Sequence, residues 1–305
     1  MKKAIDENTV GIWYGIAAYT LWGILPLYWK LLKVVPPLEI LYHRIVWSFV
    51  FIFFILLISK NWYNMRVILR DKKRLMLMFL CGFIISLNWY TYIYAVNTDH
   101  VIEASMGYFI NPLVVVLFGV TIVREKLTRW QLIALILAAF GVLIVTFQYG
   151  RVPWLALILA VSFALYGLIK KMAQVEPLTG LAMETMVVTP IALYFILGLE
   201  RVGVGAMGTL PVSTVLILSG AGVVTATPLL LFARGVEKTT LSMMGFLQYI
   251  APSMTLMLGI FAFKEPFSVS HFISFCFIWA ALIIFTLANT GVLKEYPRPE
   301  SPLQG

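Results

Sequence analysis

The chain has 305 residues, 61% of them hydrophobic and 12% charged, with a formal net charge of +9 and a mean hydropathy of +0.92. A soluble domain is about half apolar and a quarter charged, so this composition excludes most soluble enzymes and nucleic-acid readers. With about 20 apolar residues needed per membrane-spanning helix, the length holds about ten spans and leaves no room for a separate soluble domain.

Beyond a polar tail at 1–10, apolar segments follow one another at 11–30, 38–59, 75–96, 101–123, 129–147, 153–172, 178–199, 213–234, 240–262 and 268–289. Runs such as 49–58 and 132–145 are apolar on every face, as helices in lipid are, whereas barrel strands would alternate. The sequence therefore predicts an all-α integral membrane protein of ten transmembrane helices. Pro36-Pro37, Gly150 with Pro153, and 203–211 supply the turns, and 291–305 forms a second polar tail. Lys2 and Lys3 precede an apolar stretch that no small-residue cleavage site follows, so the first helix is expected to remain uncleaved.

With the amino terminus placed inside, the large majority of Lys and Arg fall at one face, the pair Lys170-Lys171 counted among its loops. That bias orients both termini to the cytoplasm. A basic excess spread over several loops is not a groove-tracking patch, so no nucleic acid is expected as a partner. The densest basic loop, 60–74, is read as lying against anionic headgroups. Cys81 and Cys276 sit inside apolar runs, where a thiol packs as a small hydrophobe.

The strongest pattern is a repeat. An offset of 140 residues superposes Pro37-Leu38 on Pro177-Leu178, Gly82 on Gly222, Pro112 on Pro252, Gly119 on Gly259 and Glu125 on Glu265. Two five-helix halves follow, over 11–147 and 150–290. An odd number of spans forces the two copies to enter the membrane from opposite sides, giving inverted repeats with a site at their interface. Such halves can exchange roles, which is the physical logic of a carrier; a membrane channel or a non-transporting scaffold is the alternative.

Few ionisable groups lie inside the spans, and each costs about 2.5–3.5 kcal/mol at a helix centre on insertion scales, which makes each a functional candidate. Arg44 lies about 9 Å into the second span, with His43 beside it and Glu39 one turn earlier. Glu103 enters the fourth span at similar depth, so an Arg44–Glu103 pair is expected, either functional or a structural bond between helices. Glu184 takes the place of Arg44 in the second half, and a proton-carrying role would suit it, as desolvation raises a carboxyl pKa. Pro112 and Pro252 fall in mid-span and are expected to break the fourth and ninth helices. Glu103, Gly107 and Asn111 share one helical face, and so do Gly245, Gln248 and Pro252. These stripes line a central cavity or form close-packed interfaces, with Asn88, Trp89, Tyr92, Gly222 and Thr225 facing them. Glu125 and Glu265 read as loop anchors and Thr128 and Ser268 as helix caps, all outside the site.

The ten-helix pattern, together with a Glu-x-x-[Thr/Ser] element before the last helix of each half, resembles the EamA family of the drug/metabolite transporter superfamily. Pro37-Leu38-Glu39, His43-Arg44, Asn88-Trp89, Ala95-Val96-Asn97, His100 and the string from Glu103 to Leu113 are similar to its RarD subgroup, named as chloramphenicol-sensitive proteins. The resemblance covers nearly the whole chain. It implies a permease of the bacterial inner membrane that moves small organic molecules by alternating access without a cofactor. The residues it carries over are His43, Arg44, Asn88, Trp89, Glu103 and Asn111, while Glu184 and Gln248 rest on physical grounds. Expected partners are a small-molecule substrate and the lipid bilayer, with a homodimer left open. No motif for ATP, hydrolysis or metal catalysis is found, so uphill transport would draw on a proton gradient or exchange.

Overall fold

Long apolar runs with short polar links have one economical way to satisfy their backbone in lipid, which is to hydrogen-bond within each segment. The structure is a computed structural model describing residues 6–59, 62–97, 100–150, 152–258, 261, 269–289 and 293, without the side chains of 62, 63, 93, 96, 97, 101–105, 145, 148, 149, 256 and 269–271. The described residues form helices and no strand. In chain order these are α1 (Glu7–Lys30), α2 (Pro37–Ser59), the short α3 (Trp62–Arg70), α4 (Lys72–Asn97), α5 (Val101–Thr121), α6 (Arg129–Tyr149), α7 (Trp154–Ala173), α8 (Pro177–Arg201), the single turn α9 (Ala206–Thr209), α10 (Val212–Lys238), α11 (Leu241–Leu247), α12 (Ile250–Met257) and α13 (Val269–Asn289). Seven of them are long and apolar enough to cross a membrane by length and composition. Phe54, Ile58, Phe140, Phe147, Tyr194 and Leu216 stand exposed on their outer faces. Water would penalise such a surface, and lipid would not.

Helix ends are set by local chemistry. Thr128 forms a capping box with Gln131 at the start of α6, and Gly150 closes that helix at φ 72°. Asp71 accepts the Lys73 and Arg74 amides ahead of α4. Glu176 accepts the Leu178 and Thr179 amides to start α8. Beside the membrane-length helices, α3 turns Ile68 into the core and leaves Arg66 and Arg70 exposed.

Most of the packing joins one half of the chain to the other. The first half (α1–α6) meets the second (α7–α13) through α1 with α10 and α12, α2 with α8 and α10, α4 with α7 and α8, α5 with α7 and α11, and α6 with α13. Glycines make the closest approaches. A Cβ at Gly222 of α10 would lie 2.2 Å from the Trp47 carbonyl carbon of α2, and one at Gly82 of α4 would lie 2.8 Å from the Glu184 carbonyl oxygen of α8. The main core runs between these helices and includes Tyr19, Ile52, Met78, Cys81, Tyr166, Leu181, Met183 and Phe232. Both cysteines are free, Cys81 buried and Cys276 exposed.

The proline breaks fall differently from expectation. Helix α5 runs unbroken through Pro112. Tyr249 of the second half donates its hydroxyl to the Phe109 carbonyl at 3.3 Å, near the proline-disturbed turn. The ninth apolar segment is broken at Gln248–Tyr249 rather than at Pro252, which lies inside α12. A proline ring clashes with the carbonyl four residues earlier, and that carbonyl belongs to Gln248.

The glycine contacts yield a paired expectation. Gly222→Ala forces α10 off α2 and should lower the melting temperature in detergent, by about 1–3 kcal/mol of overpacking or more. Gly198→Ala, on an exposed stretch of α8 with nothing within 4 Å of the new Cβ, should be neutral or stabilising by about 0.5–1 kcal/mol. Parallel melting curves of the two variants check the pair.

Candidate binding and coupling site

An arginine inside a bundle must exchange its hydration for protein partners. Arg44 projects from α2 and donates from Nε to Thr225 Oγ1 of α10 at 3.1 Å. Its guanidinium lies over the Trp29 ring of α1 at 4.7 Å and over the Trp89 ring of α4 at 5.1 Å. Cation–π contact suits Arg, because its flat, weakly hydrated head stacks on indole at low desolvation cost, for about 2 kcal/mol or more per contact when dry. Tyr92 and Tyr108 lie within electrostatic range of the same head and pack edge to face at 6.0 Å. One cation is thus boxed by aromatic rings from α1 and α4 and by a hydroxyl from the opposite half.

The side chain of Glu103 lies outside the described residues, so the expected Arg44–Glu103 pair rests on the sequence. Glu39 does not serve Arg44. Its Oε1 accepts the Ala206 amide at 2.6 Å and fastens α9 to α2. His43 is buried on the neighbouring face, with no hydrogen-bond partner for Nε2 among the described residues.

Asn88 and Asn111 act as fasteners. Asn88 donates to the Leu159 carbonyl and the Ser162 hydroxyl, both at 2.9 Å, and Asn111 donates to the Ala160 carbonyl. All three bonds end on α7. A Cβ at Gly107 would stand 3.0 Å from that of Leu159, and one at Gly245 would stand 2.8 Å from Val116. The two stripes are therefore close-packed interfaces. Gln248 is buried where α11 gives way to α12, its Oε1 unpartnered among the described residues.

Glu184 makes the arrangement that sequence reasoning missed. Lys170 Nζ lies 2.6 Å from Glu184 Oε1, with the two side chains 6% and 1% exposed. Tyr166 donates its hydroxyl to Oε2 at 3.0 Å. The other ion pairs among the described residues have side chains 22–81% exposed. The charge count places Lys170 in a cytoplasmic loop because it neighbours Lys171 near the end of a span. One residue is about 100° of helix, and that turn sends Lys170 inward. Lys171 instead donates to the Val236 and Thr239 carbonyls at the end of α10. Beside the buried pair lies a cavity of about 10 Å³ lined by Ile45, Ile85, Trp89, Tyr166, Glu184 and Leu229, among others. Trp89 is the shared wall, stacked on Arg44 and bordering the cavity that holds Glu184.

Glu125 is an anchor, as expected. Its carboxylate accepts the Leu241 and Ser242 amides at 2.6 and 2.8 Å and the Ser242 hydroxyl at 2.6 Å. Glu265 and Ser268 lie outside the described residues. Asn88, Trp89 and Thr225 were legible as polar or aromatic breaks in apolar helices. Nothing in the sequence context of Trp29 distinguishes it from an aromatic residue at a membrane interface.

The buried pair supports a stability test. Lys170→Met should cost about 3–5 kcal/mol by leaving a carboxylate unpaired, whereas Lys170→Met with Glu184→Met should restore most of the loss. Thermal melts of the single and double variants decide it; a double variant as unstable as the single would mean that the pair's charges are not what holds these helices.

The model of the EamA-like transporter family matches the chain twice, at residues 9–147 and 151–287. An uncharacterized transporter of Bacillus subtilis, YojE, is 47% identical over 289 residues, covering 93% of this chain and 95% of its own. Protein RarD of Salmonella typhimurium is 41% identical over 281 residues, covering 92% and 96%. A crystal structure of a protein 19% identical in sequence superposes with a TM-score of 0.68, covering 91% of this chain and 98% of the other, which bears on the fold alone.

Proposed function

The chain belongs to the EamA-like transporter family, and on that premise we propose that it is a secondary active permease of the bacterial inner membrane, carrying a small organic molecule by alternating access. Relatives that are named transporters, and several apolar helices of membrane length, support a multi-pass membrane permease in place of an enzyme. The two halves, 11–147 and 150–290, act as inverted repeats with both termini in the cytoplasm. Three observations support that arrangement. The 140-residue offset aligns Pro, Gly and Glu, the family model matches once per half, and the interhelical pairs keep their pattern when the halves are exchanged. For example, α1 on α10 corresponds to α7 on α4, and α2 on α10 to α8 on α4.

The observation that carries the reading is the boxed Arg44, a fixed cation at the junction of α1, α2, α4 and α10. An arginine whose Nε is held by a hydroxyl and whose faces are held by indoles presents its planar fork in one orientation, the geometry that binds a carboxylate bidentately. We assign the cargo to small organic anions with an apolar or aromatic body that can replace an indole against the guanidinium. The proton gradient or exchange supplies the driving force, and the molecule leaves chemically unaltered.

A thermal-shift screen of the purified protein against carboxylates, amines and neutral antibiotics tests this. Binding stabilises the folded state by about 2.7 kcal/mol at 100 times Kd, and the melting temperature rises accordingly. Aromatic carboxylates should stabilise the parent, stabilise Arg44→Lys less, and leave Arg44→Ala unmoved. Cationic ligands that stabilise the parent and Arg44→Ala alike would overturn the assignment.

A further inference from the structure

The Lys170–Glu184 pair is not explained by stability. Burying two ions costs several kcal/mol each, and well-packed apolar residues of similar volume are often as good or better. Yet the pair lies where the halves meet. The Glu184 backbone is the surface on which Gly82 of α4 packs, and Lys170 and Tyr166 reach the carboxylate from α7. From α4, Cys81 also faces it, while α2 and α10 bring Ile45 and Leu229 to the cavity.

A second carboxylate, Glu176, caps the start of α8, ahead of the face that Gly180 and Glu184 share. Gly180 and Glu184 are spaced by four residues, so they share one face about 6 Å apart along the axis, and Glu176 lies at the helix start four residues before Gly180. The Glu176 carboxylate folds over the first turn to accept the Thr179 amide at 2.8 Å and hydroxyl at 2.7 Å. It lies at the helix start, holds Arg234 of α10 at 3.5 Å and is 25% exposed. Between the carboxylates this face carries a glycine, against which the side chains of Met78 and Val175 pack. A Cβ at Gly180 would stand 3.3 Å from Met78 Sδ, 3.4 Å from Val175 Cγ1 and 3.6 Å from Lys170 Nζ, so the ammonium already rests beside the glycine, and a move past it needs only those side chains to shift. Lys170 itself belongs to the last turn of α7, where a long flexible stem can carry its head toward the helix end.

We propose that Glu184 is a proton-binding site and that Lys170 is its mobile counter-charge, which leaves Glu184 for Glu176 past Gly180 when the carboxylate takes up a proton. The step balances simply. A proton from water joins a Glu184 oxygen, the Oε1···Nζ ion pair opens, and the ammonium keeps its own proton while gaining a new carboxylate nearer the aqueous end. A neutral Glu184 still accepts from Tyr166. The lysine's departure loosens the contact of α7 with α8 beside the cavity that Trp89 shares with Arg44, which links proton uptake to the binding box. This deepens the permease reading by naming its coupling site, but the test needs no cargo.

Infrared difference spectra of the reconstituted protein between pH steps report carboxyl protonation directly. The carbonyl stretch of a protonated acid that disappears in Glu184→Gln is the Glu184 signal. Its midpoint should fall by about one pH unit in Glu176→Gln, a tenfold weaker proton affinity, because the lysine loses its second partner. It should also fall in Gly180→Leu, which blocks the track, and rise in Lys170→Gln, which removes the counter-charge. No Glu184-dependent signal across the range in which the helical circular dichroism persists would overturn the proposal. So would a midpoint unmoved by Glu176→Gln, a change at the helix start that decides the matter even if Lys170→Gln fails to fold. A positive spectrum with no cargo moved by any assay would leave the proton site standing and sink the permease reading instead.

Discussion

A polar group inside this bundle has no water to fall back on, and that constraint organises the molecule. Backbone groups meet it by helix formation, so the difficulty concentrates where helices end. At the junction of α10 and α11, Lys171 covers the outgoing carbonyls and Glu125 the incoming amides. A cation at a carboxyl-terminal end and an anion at an amino-terminal end is the favourable polarity for the helix dipole. Asn8 and Glu7, at the start of α1, reach the same junction through Thr239 and Lys238. The caps therefore tie segments from both halves together.

Charges meet the same constraint in two ways. Lys170 and Glu184 neutralise each other directly, whereas Arg44 spreads its charge over indole faces and a hydroxyl. Positions 44 and 184 correspond under the 140-residue offset, as do Gly82 and Gly222. Each half thus brings one ionised residue within about a turn of the place where a glycine of the other half admits the closest backbone approach. Opposite charges at equivalent positions break the symmetry of the repeat. On the proposed reading, the first half holds the group that meets the anion and the second the group that takes the proton.

The fold was legible because its signals are long and redundant. Each apolar run needs only length, and among the described residues each falls on one helix except the ninth, which α11 and α12 share. Position within a turn was harder to read. Lys170 and Lys171 look identical in a charge count, yet one helical step separates a buried ion pair from a cap on α10. Proline gave the fact of a disturbance and misplaced it, because in the second half the ring acts on the carbonyl four residues back, while α5 continues as a helix through Pro112. The glycine stripes showed that backbones approach closely, but whether a partner helix or a cavity fills the space depends on residues about 50 to 130 positions away. Glu125 was legible as an anchor since its loop context has no apolar run to bury it in.

The structure holds its first half against its second at both ends of the bundle. Glu39 fastens α2 to the amide that opens α9, and at the other end Glu125 fastens the α5–α6 turn to the amides that open α11. Between them lies a cavity of about 10 Å³, room for about one water molecule and for no organic cargo. Both fasteners are carboxylates on amide groups, bonds worth about 1.5–3 kcal/mol each, which is strong enough to favour a closed end and weak enough to release. A carrier that opens alternately must free one while keeping the other. The buried pair is better placed to bias that choice than the Arg44 box, because Lys170 precedes in sequence the residue that covers the end of α10. A lysine drawn toward Glu176 moves beside Arg234, on the same helix whose last carbonyls Lys171 holds. Proton uptake at Glu184 would then be felt first at the end closed by Glu125, and only through Trp89 at the box.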